Sequence, residues 1–204
     1  SLSKIISEIK NNIENKTLIF YTNGLLGSRK SQTYSNFNDF MYNLSYWSSW
    51  SNGFNIWKSE FDKIDKNLKL NKLFPHTSLF LTQHQAKLFC INDNLLFDVQ
   101  RIPKRGGHNK FEAFTIEYPS LLDECCKKGH ISTKCKKHIL FGIMVQFLPS
   151  LLFNKYIIRI ETFDDTGFRN NLKKYYPSYA YWLVLISVLG VPFRLFCRKL
   201  KNKR

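Results

Sequence analysis

Residues 175–193 read YYPSYAYWLVLISVLGVPF, nineteen positions without a charged side chain, and the chain continues through Arg194, Arg198, Lys199, Lys201, Lys203 and Arg204. As one α-helix rising about 1.5 Å per residue, this run extends roughly 28 Å, close to the hydrocarbon thickness of a bilayer. Tyr179, Tyr181 and Trp182 crowd one end, as amphipathic rings do at a headgroup boundary. The expectation is a membrane anchor with a basic stop.

Working back, residues 139–153 give fifteen uncharged positions interrupted by Gln146, Pro149 and Ser150. Fifteen residues reach only about 22 Å, short of a bilayer. The run is either a buried core helix or one half of a hairpin with residues 175–193, Pro149 supplying a kink. Basic residues stand outside both runs, and Glu161, Asp164 and Asp165 lie between them. That pattern favours a hairpin whose two ends face the cytoplasm. If residues 175–193 cross alone, the basic tail stays cytoplasmic and the domain becomes lumenal, and Asn15-Lys16-Thr17 and Asn43-Leu44-Ser45 become usable glycosylation sequons.

The 204 residues, 44% of them apolar, suffice for one domain with a core plus a membrane-embedded part. A formal charge of +16 first suggests a nucleic-acid partner, but its distribution argues otherwise. Residues 1–120 hold 15 Lys/Arg against 10 Asp/Glu, and residues 121–204 hold 16 against 5. The excess sits beside the apolar runs, at Lys127, Lys128, Lys134, Lys136 and Lys137 and again after Phe193. This flanking pattern implies a lipid bilayer with anionic headgroups as partner, in an endomembrane or the plasma membrane, and no nucleic acid. Five cysteines, an odd number with Cys125 and Cys126 adjacent, argue for reduced thiols over a secreted disulfide framework. No signal peptide opens the chain, and the absence of an initiating Met implies a fragment or a processed product.

Upstream, Ile5, Ile6, Ile9 and Ile13 recur at helical spacing and predict an amphipathic helix. Residues 17–22 (Thr-Leu-Ile-Phe-Tyr-Thr), ending at Asn23-Gly24, predict a strand entering a turn. The aromatic, Ser- and Asn-rich residues 34–57 read as strands and loops, and residues 56–66 return to helical periodicity. Residues 69–74 alternate like a strand, and 81–92 fit either state. The alternation over 111–118 predicts a strand with Phe114, Ile116 and Tyr118 facing a core. The expected fold is therefore α+β: a mixed domain over 1–120, a basic Cys/His-rich linker over 121–138, and a membrane-associated helical region with a basic tail over 139–204.

Several blocks, in order, resemble the transmembrane protein 151 family, a group of animal membrane proteins. Leu81-Thr82-Gln83, then Leu88-Phe89, Asn92-Asp93, Leu95 and Arg101, are similar to that family's Leu-Thr-Gln block, aromatic pair, Asn-acidic step and downstream Arg, with Phe111 at its next Phe. The alternating residues 68–74 ending in Phe74, the Gly53 to Glu60 spacing, and Tyr181-Trp182-Leu183-Val184 with Leu189, Pro192 and Arg194 extend the resemblance to about half of the chain. The paired membrane segments that precede the domain in the family are missing, and residues 120–179 have no counterpart. The resemblance implies an integral membrane protein with a domain beside its last membrane segment, and it carries over no catalytic residue.

The sharpest chemical candidate is Cys125, His130, Cys135 and His138, with Cys126 alongside. Four such ligands suit tetrahedral zinc. Against this, no pair of cysteines has the two-residue spacing of a zinc site, and five lysines share the stretch. A basic juxtamembrane linker with inert or acylated cysteines is the competing reading. Arg105-Gly106-Gly107-His108, with Lys104 and Lys110, can offer N–H groups and charge to phosphate but lacks a strand-to-helix context. Cys90 with His84 or His108 reads as core packing before it reads as a nucleophile with a base. Asp164 and Asp165 beside Glu161 read as a solvated turn before paired acid/base carboxylates. No cofactor is implied and no catalytic geometry is legible. The expected function is an integral membrane protein with an interaction or scaffolding domain and no enzyme activity, the alternative being a basic metal- or nucleic-acid-binding module built on the Cys/His cluster.

Overall fold

A computed structural model describes residues 2–50, 53–97 and 109–202. These are mostly helical with one small sheet, so the α+β class holds. The chain forms two compact units, one from Ser1–Arg101 and Cys125–Lys136, the other from Ile102–Glu124 and Lys137–Arg204.

The first unit opens with α1 (Leu2–Asn11), the amphipathic helix that the isoleucine spacing predicts. Strand β1 (Leu18–Tyr21) follows, then β2 (Ser31–Tyr34), α2 (Phe37–Leu44) with a 3₁₀ turn (Ser45–Ser49), α3 (Lys58–Phe61), α4 (Pro75–Leu81) with a second 3₁₀ turn (Thr82–Gln85), and β3 (Phe89–Asn92). In the sheet, β3 is central, parallel to β1 and antiparallel to β2. The two sides of the sheet pack differently because side chains alternate along each strand. Ile19, Tyr21 and Cys90 cluster with Leu96 and with Ile5 of α1. On the other side the Phe20 ring meets Phe80 edge-on at 5.4 Å, and Phe89 meets Phe37 at a tilt at 5.5 Å and stacks on Phe40 at 5.2 Å, an aromatic core. The outer edge of β1 is covered: Asn55 donates to the Ile19 carbonyl at 3.1 Å, and Tyr21 donates to Gly53. Gly53 has to be glycine there, since a Cβ would run into the Phe20 ring.

Several sequence expectations need correction. Residues 34–57 contain α2, which starts where Asn36 accepts from the Asp39 N–H at 2.8 Å, a side-chain cap. Residues 69–74 form no strand. Residues 111–118 are helical, within a continuous helix over 110–127 made of α5 (Lys110–Glu112), a π-helical segment (Ala113–Glu117) and α6 (Tyr118–Lys127). Its start is again capped, by Asn109 accepting from Glu112 at 2.8 Å. The expected linker 121–138 is largely helical too, because α7 begins at Thr133 behind the Ser132 cap.

The second long helix, Thr133–Ile157, comprises α7 (Thr133–Gly142), a π-helical segment (Ile143–Phe147), α8 (Leu148–Leu152) and a last π-helical segment (Phe153–Ile157). Two of the three π-helical segments end two residues before a proline, Pro119 and Pro149. A proline inside a helix has no N–H and its ring crowds the carbonyl four residues back. Widening the preceding turn to i→i+5 bonding relieves that crowding without breaking the helix. The second unit is completed by α9 (Phe168–Leu172), α10 (Ala180–Val188) and α11 (Val191–Asn202), with α10 packed on α8 and on the π-helical segment before it.

Asp93, fully buried just past β3, holds the turn that leaves β1. Its carboxylate accepts from Thr22 Oγ1 (2.5 Å), the N–H groups of Leu26 (3.0 Å), Ser28 (2.8 Å) and Arg29 (3.0 Å), and Ser28 Oγ (3.1 Å). Burial pushes its pKa up, but these donors outweigh burial and hold it below the ordinary carboxylate value. The turn itself uses left-handed backbone at Asn23 and Gly24, as Asn-Gly predicts.

Asp93→Asn replaces one carboxylate oxygen with an amide donor facing the N–H groups of Leu26, Ser28 and Arg29. It is expected to lower the unfolding free energy of the full chain in mild detergent by about 2–3 kcal/mol, and Thr22→Val by about 1 kcal/mol. Urea titration followed by the fluorescence of Trp47, Trp50 and Trp57 measures this. A change below about 0.5 kcal/mol for Asp93→Asn would mean that other contacts hold the turn.

Candidate membrane-facing surface

Helix α10 is apolar on every side. Ala180 and Val184, followed by Val191 at the start of α11, are buried on one face. Tyr179, Trp182, Ile186, Leu189, Phe193 and Phe196 recur at alternating spacings of three and four on the other, each between 59% and 81% exposed. A helix with this composition is normally covered all round, so the second face is an apolar stripe that asks for a partner.

The expected single helix over 175–193 is corrected to a shorter, bent pair of helices. Helix α10 is nine residues long, about 13 Å, and its axis turns 53° into α11. Pro192, in the first turn of α11, has no N–H for the Val188 carbonyl, which explains the bend at this place. Among the described residues, Thr133–Ile157 is the one helix long and apolar enough to cross a membrane by itself, at a mean hydropathy of 1.3 with 56% of the apolar window buried. The bent pair Ala180–Val188 and Val191–Cys197 reaches that measure only when taken together. Length and composition of this kind describe a membrane span and a core helix alike.

Arg194, the first residue of the basic stop, is engaged inside the unit. Its Nη1 donates to the Val145 carbonyl at 2.7 Å and its Nη2 to the Ser187 carbonyl at 3.4 Å. Val145 lies four residues before Pro149, so its carbonyl has lost the usual helical donor, and the guanidinium supplies one. Tyr176 acts similarly on the other π-helical helix, donating to the Phe114 carbonyl at 2.7 Å. Arg169 lies against the rings of Tyr181 and Trp182, 5.2 and 5.9 Å from their centroids.

The acidic connector is ordered by separate ion pairs. Glu161 is buried 4.0 Å from Lys110, whose ammonium also stands 3.7 Å over the Phe163 ring. Asp165 pairs with Lys155 at 2.7 Å and accepts from the Tyr156 hydroxyl. Asp164 is exposed and takes Thr166 Oγ1 at 2.7 Å, as a turn residue does. The solvated-turn expectation therefore fits Asp164, and not Glu161 or Asp165.

The expected zinc ligands do not assemble. Cys125 is buried on α6, and burial pushes its thiol up to about 12, which opposes the thiolate a metal needs. Cys135 is buried with its Sγ donating to the Asn38 carbonyl at 3.6 Å. His130 stacks on His84 with ring centroids 3.5 Å apart. His138 belongs to the second unit. Among the described residues no three His, Cys, Asp or Glu side chains gather as a metal site. Cys126, half-buried, sits 3.8 Å from Thr133 Oγ1. Cys90 is in β3, its thiol pushed up to about 11 by burial and by Glu8, as core packing requires. Asn15 and Asn43 are both exposed. Residues 104–108 lie outside the described residues. The sequence reading missed Asp93 and the inward role of Arg194; the signal for the latter is Pro149, a helix proline that deprives the Val145 carbonyl of its usual donor.

Comparison with protein-family models, curated proteins and solved structures finds no match for this chain.

Arg194→Met keeps the aliphatic stem and removes both donors, leaving the Val145 carbonyl short of a partner. The second unit is expected to lose about 1.5–3 kcal/mol, with Arg194→Lys losing less, by thermal or denaturant unfolding in detergent. Equal stability of all three proteins would remove the role given to the guanidinium. His130 tests the first unit by pH. Burial, His84 and Lys128 hold its pKa below 6.5, so the native state binds fewer protons than the unfolded chain once pH falls through that value. The melting temperature is expected to drop between about pH 7.5 and about pH 5.5, before carboxylates titrate, and His130→Gln is expected to flatten that slope. An unchanged slope in the variant would count against the stacked pair as its source.

Proposed function

We propose that this is a membrane protein whose C-terminal helices, within residues 139–204, are its anchor and whose α+β unit is an interaction or scaffolding surface held in water beside the bilayer. The observation that carries the proposal is the exposed stripe from Tyr179 to Phe196 on helices that are already packed on their other side. Anionic headgroups suit the basic residues that follow it in the sequence. The resemblance to the transmembrane protein 151 family points the same way. A groove of about 270 Å³ lined by Phe61, Ile64, Leu68, Leu70 and Leu79 supports a docking role for the first unit. The proposal assigns no reaction to the protein. Burial of Cys125 pushes its thiol up to about 12, which weighs against the metal-module alternative.

A second reading has one observation in its favour. More than half of the apolar window of Thr133–Ile157 is buried, as in a core helix, and a second copy of the chain would then cover the stripe. Fractionation of animal cells expressing the full chain separates the two. The membrane reading expects the protein in the membrane pellet after a high-salt wash, with Asn15 and Asn43 unmodified because the first unit and the basic tail share the cytoplasm. Recovery as a soluble dimer would support the second reading. A glycosidase-sensitive shift abolished by Asn15→Gln and Asn43→Gln would place the first unit in the lumen instead.

A further inference from the structure

We infer that α10 and α11 form an in-plane elbow that lies side-on in an anionic leaflet, its apolar stripe in the acyl region, with the basic sequence of α11 favouring anionic headgroups. The inference rests on the membrane reading above and adds to it the orientation and the class of lipid.

The first ground is where Arg194 stands. Its guanidinium is bonded to Val145, and Val145 is the midpoint of Thr133–Ile157, twelve residues from either end. If that helix crossed a bilayer, Arg194 and the start of α11 would sit at the bilayer centre. Helix α11, twelve residues or about 18 Å long, covers the roughly 15 Å to either surface only if it stands nearly along the bilayer normal; its axis turns 53° from that of α10, the helix packed on Thr133–Ile157, and at a larger tilt it ends short of the surface. Arg198, Lys199 and Lys201, within its sequence, would then leave from hydrocarbon, where charged side chains are strongly disfavoured. Laid in the plane of the leaflet, the same elbow meets no such conflict.

The second ground is the chemistry of the stripe and its flank. The exposed positions Tyr179, Trp182, Ile186, Leu189, Phe193 and Phe196 run through the bend without interruption. Helix α11 reads VPFRLFCRKLKN, apolar and basic residues interleaved at helical spacing with no acidic residue. A basic amphipathic helix bearing aromatic residues is the form that lies in an interface. A second copy of this chain fits less well, because it would bring the same basic sequence against itself. The polar connector, with Asp164 exposed, also stays in water in this placement.

The test uses the full chain in three measurements. Flotation compares vesicles of phosphatidylcholine alone with vesicles containing about one third phosphatidylserine; binding to the anionic set is expected to be at least about tenfold tighter and to weaken in high salt. The double variant Ile186→Glu with Leu189→Glu is expected to lose that binding while keeping its melting temperature, since both positions are exposed. Asp164→Cys, made in the presence of microsomes, is expected to take one impermeant maleimide more than the parent without detergent. Flotation independent of lipid charge, with Asp164→Cys protected until detergent is added, would overturn the elbow and leave the membrane reading in place. No flotation, with a dimer in sedimentation that the double variant dissociates, would overturn both.

Discussion

A proline inside a helix takes away one N–H and leaves one carbonyl short of a donor, and the second unit is shaped by how that shortage is met. Pro119 and Pro149 stand two residues beyond π-helical segments, where the turn has widened instead of kinking. Pro192 stands at a bend of 53°. Freed or loosened carbonyls are then met from a distance, Val145 by Arg194 and Phe114 by the buried Tyr176. These are hydrogen bonds in apolar surroundings, where an unmet carbonyl is costly. The exposed stripe has its present course because the bend is fixed in this way.

The first unit solves a different problem, that of holding a small sheet together. Strands of four residues offer few ladder bonds, so the sheet depends on what packs over and around it. Phenylalanine rings fill one side, α1 covers the other, and a buried carboxylate at Asp93 gathers the turn between β1 and β2. Charge is used here as an acceptor for backbone N–H groups and hydroxyls.

How much of this was legible in the sequence differs by residue. The α1 periodicity, β1 and the Asn23-Gly24 turn follow from local signals that the tertiary structure does not override. The alternation at 111–118 misled because apolar residues occupy both of its faces, which fits a buried helix as well as a strand. Asn109 followed three positions later by Glu112, and Asn36 followed by Asp39, are helix-start signatures that outrank alternation at these two places. At the surface, absence of charge over 175–193 marked the right residues but not their geometry, because a count of charges is blind to Pro192. The partnership of Arg194 with Val145 spans 49 positions and has no local trace. The Cys/His stretch shows the converse: residue types suited to zinc were brought to separate places by packing, with Cys125 and Cys135 turned into the interior.

The first unit is discontinuous in the chain, since Ser1–Arg101 is completed by Cys125–Lys136. Asn38 on α2 waits for that second piece: its side chain accepts from the Ser132 N–H at 2.8 Å and its carbonyl from Cys135. During synthesis the unit therefore cannot close until residue 136 has left the ribosome. The apolar body of Thr133–Ile157 follows at once in the same helix, within seconds at roughly 5–20 residues per second. Closure of the first unit and emergence of the helix that, among the described residues, is the one long and apolar enough to cross a membrane by itself thus fall in one interval of translation, because a single α-helix contributes to both units.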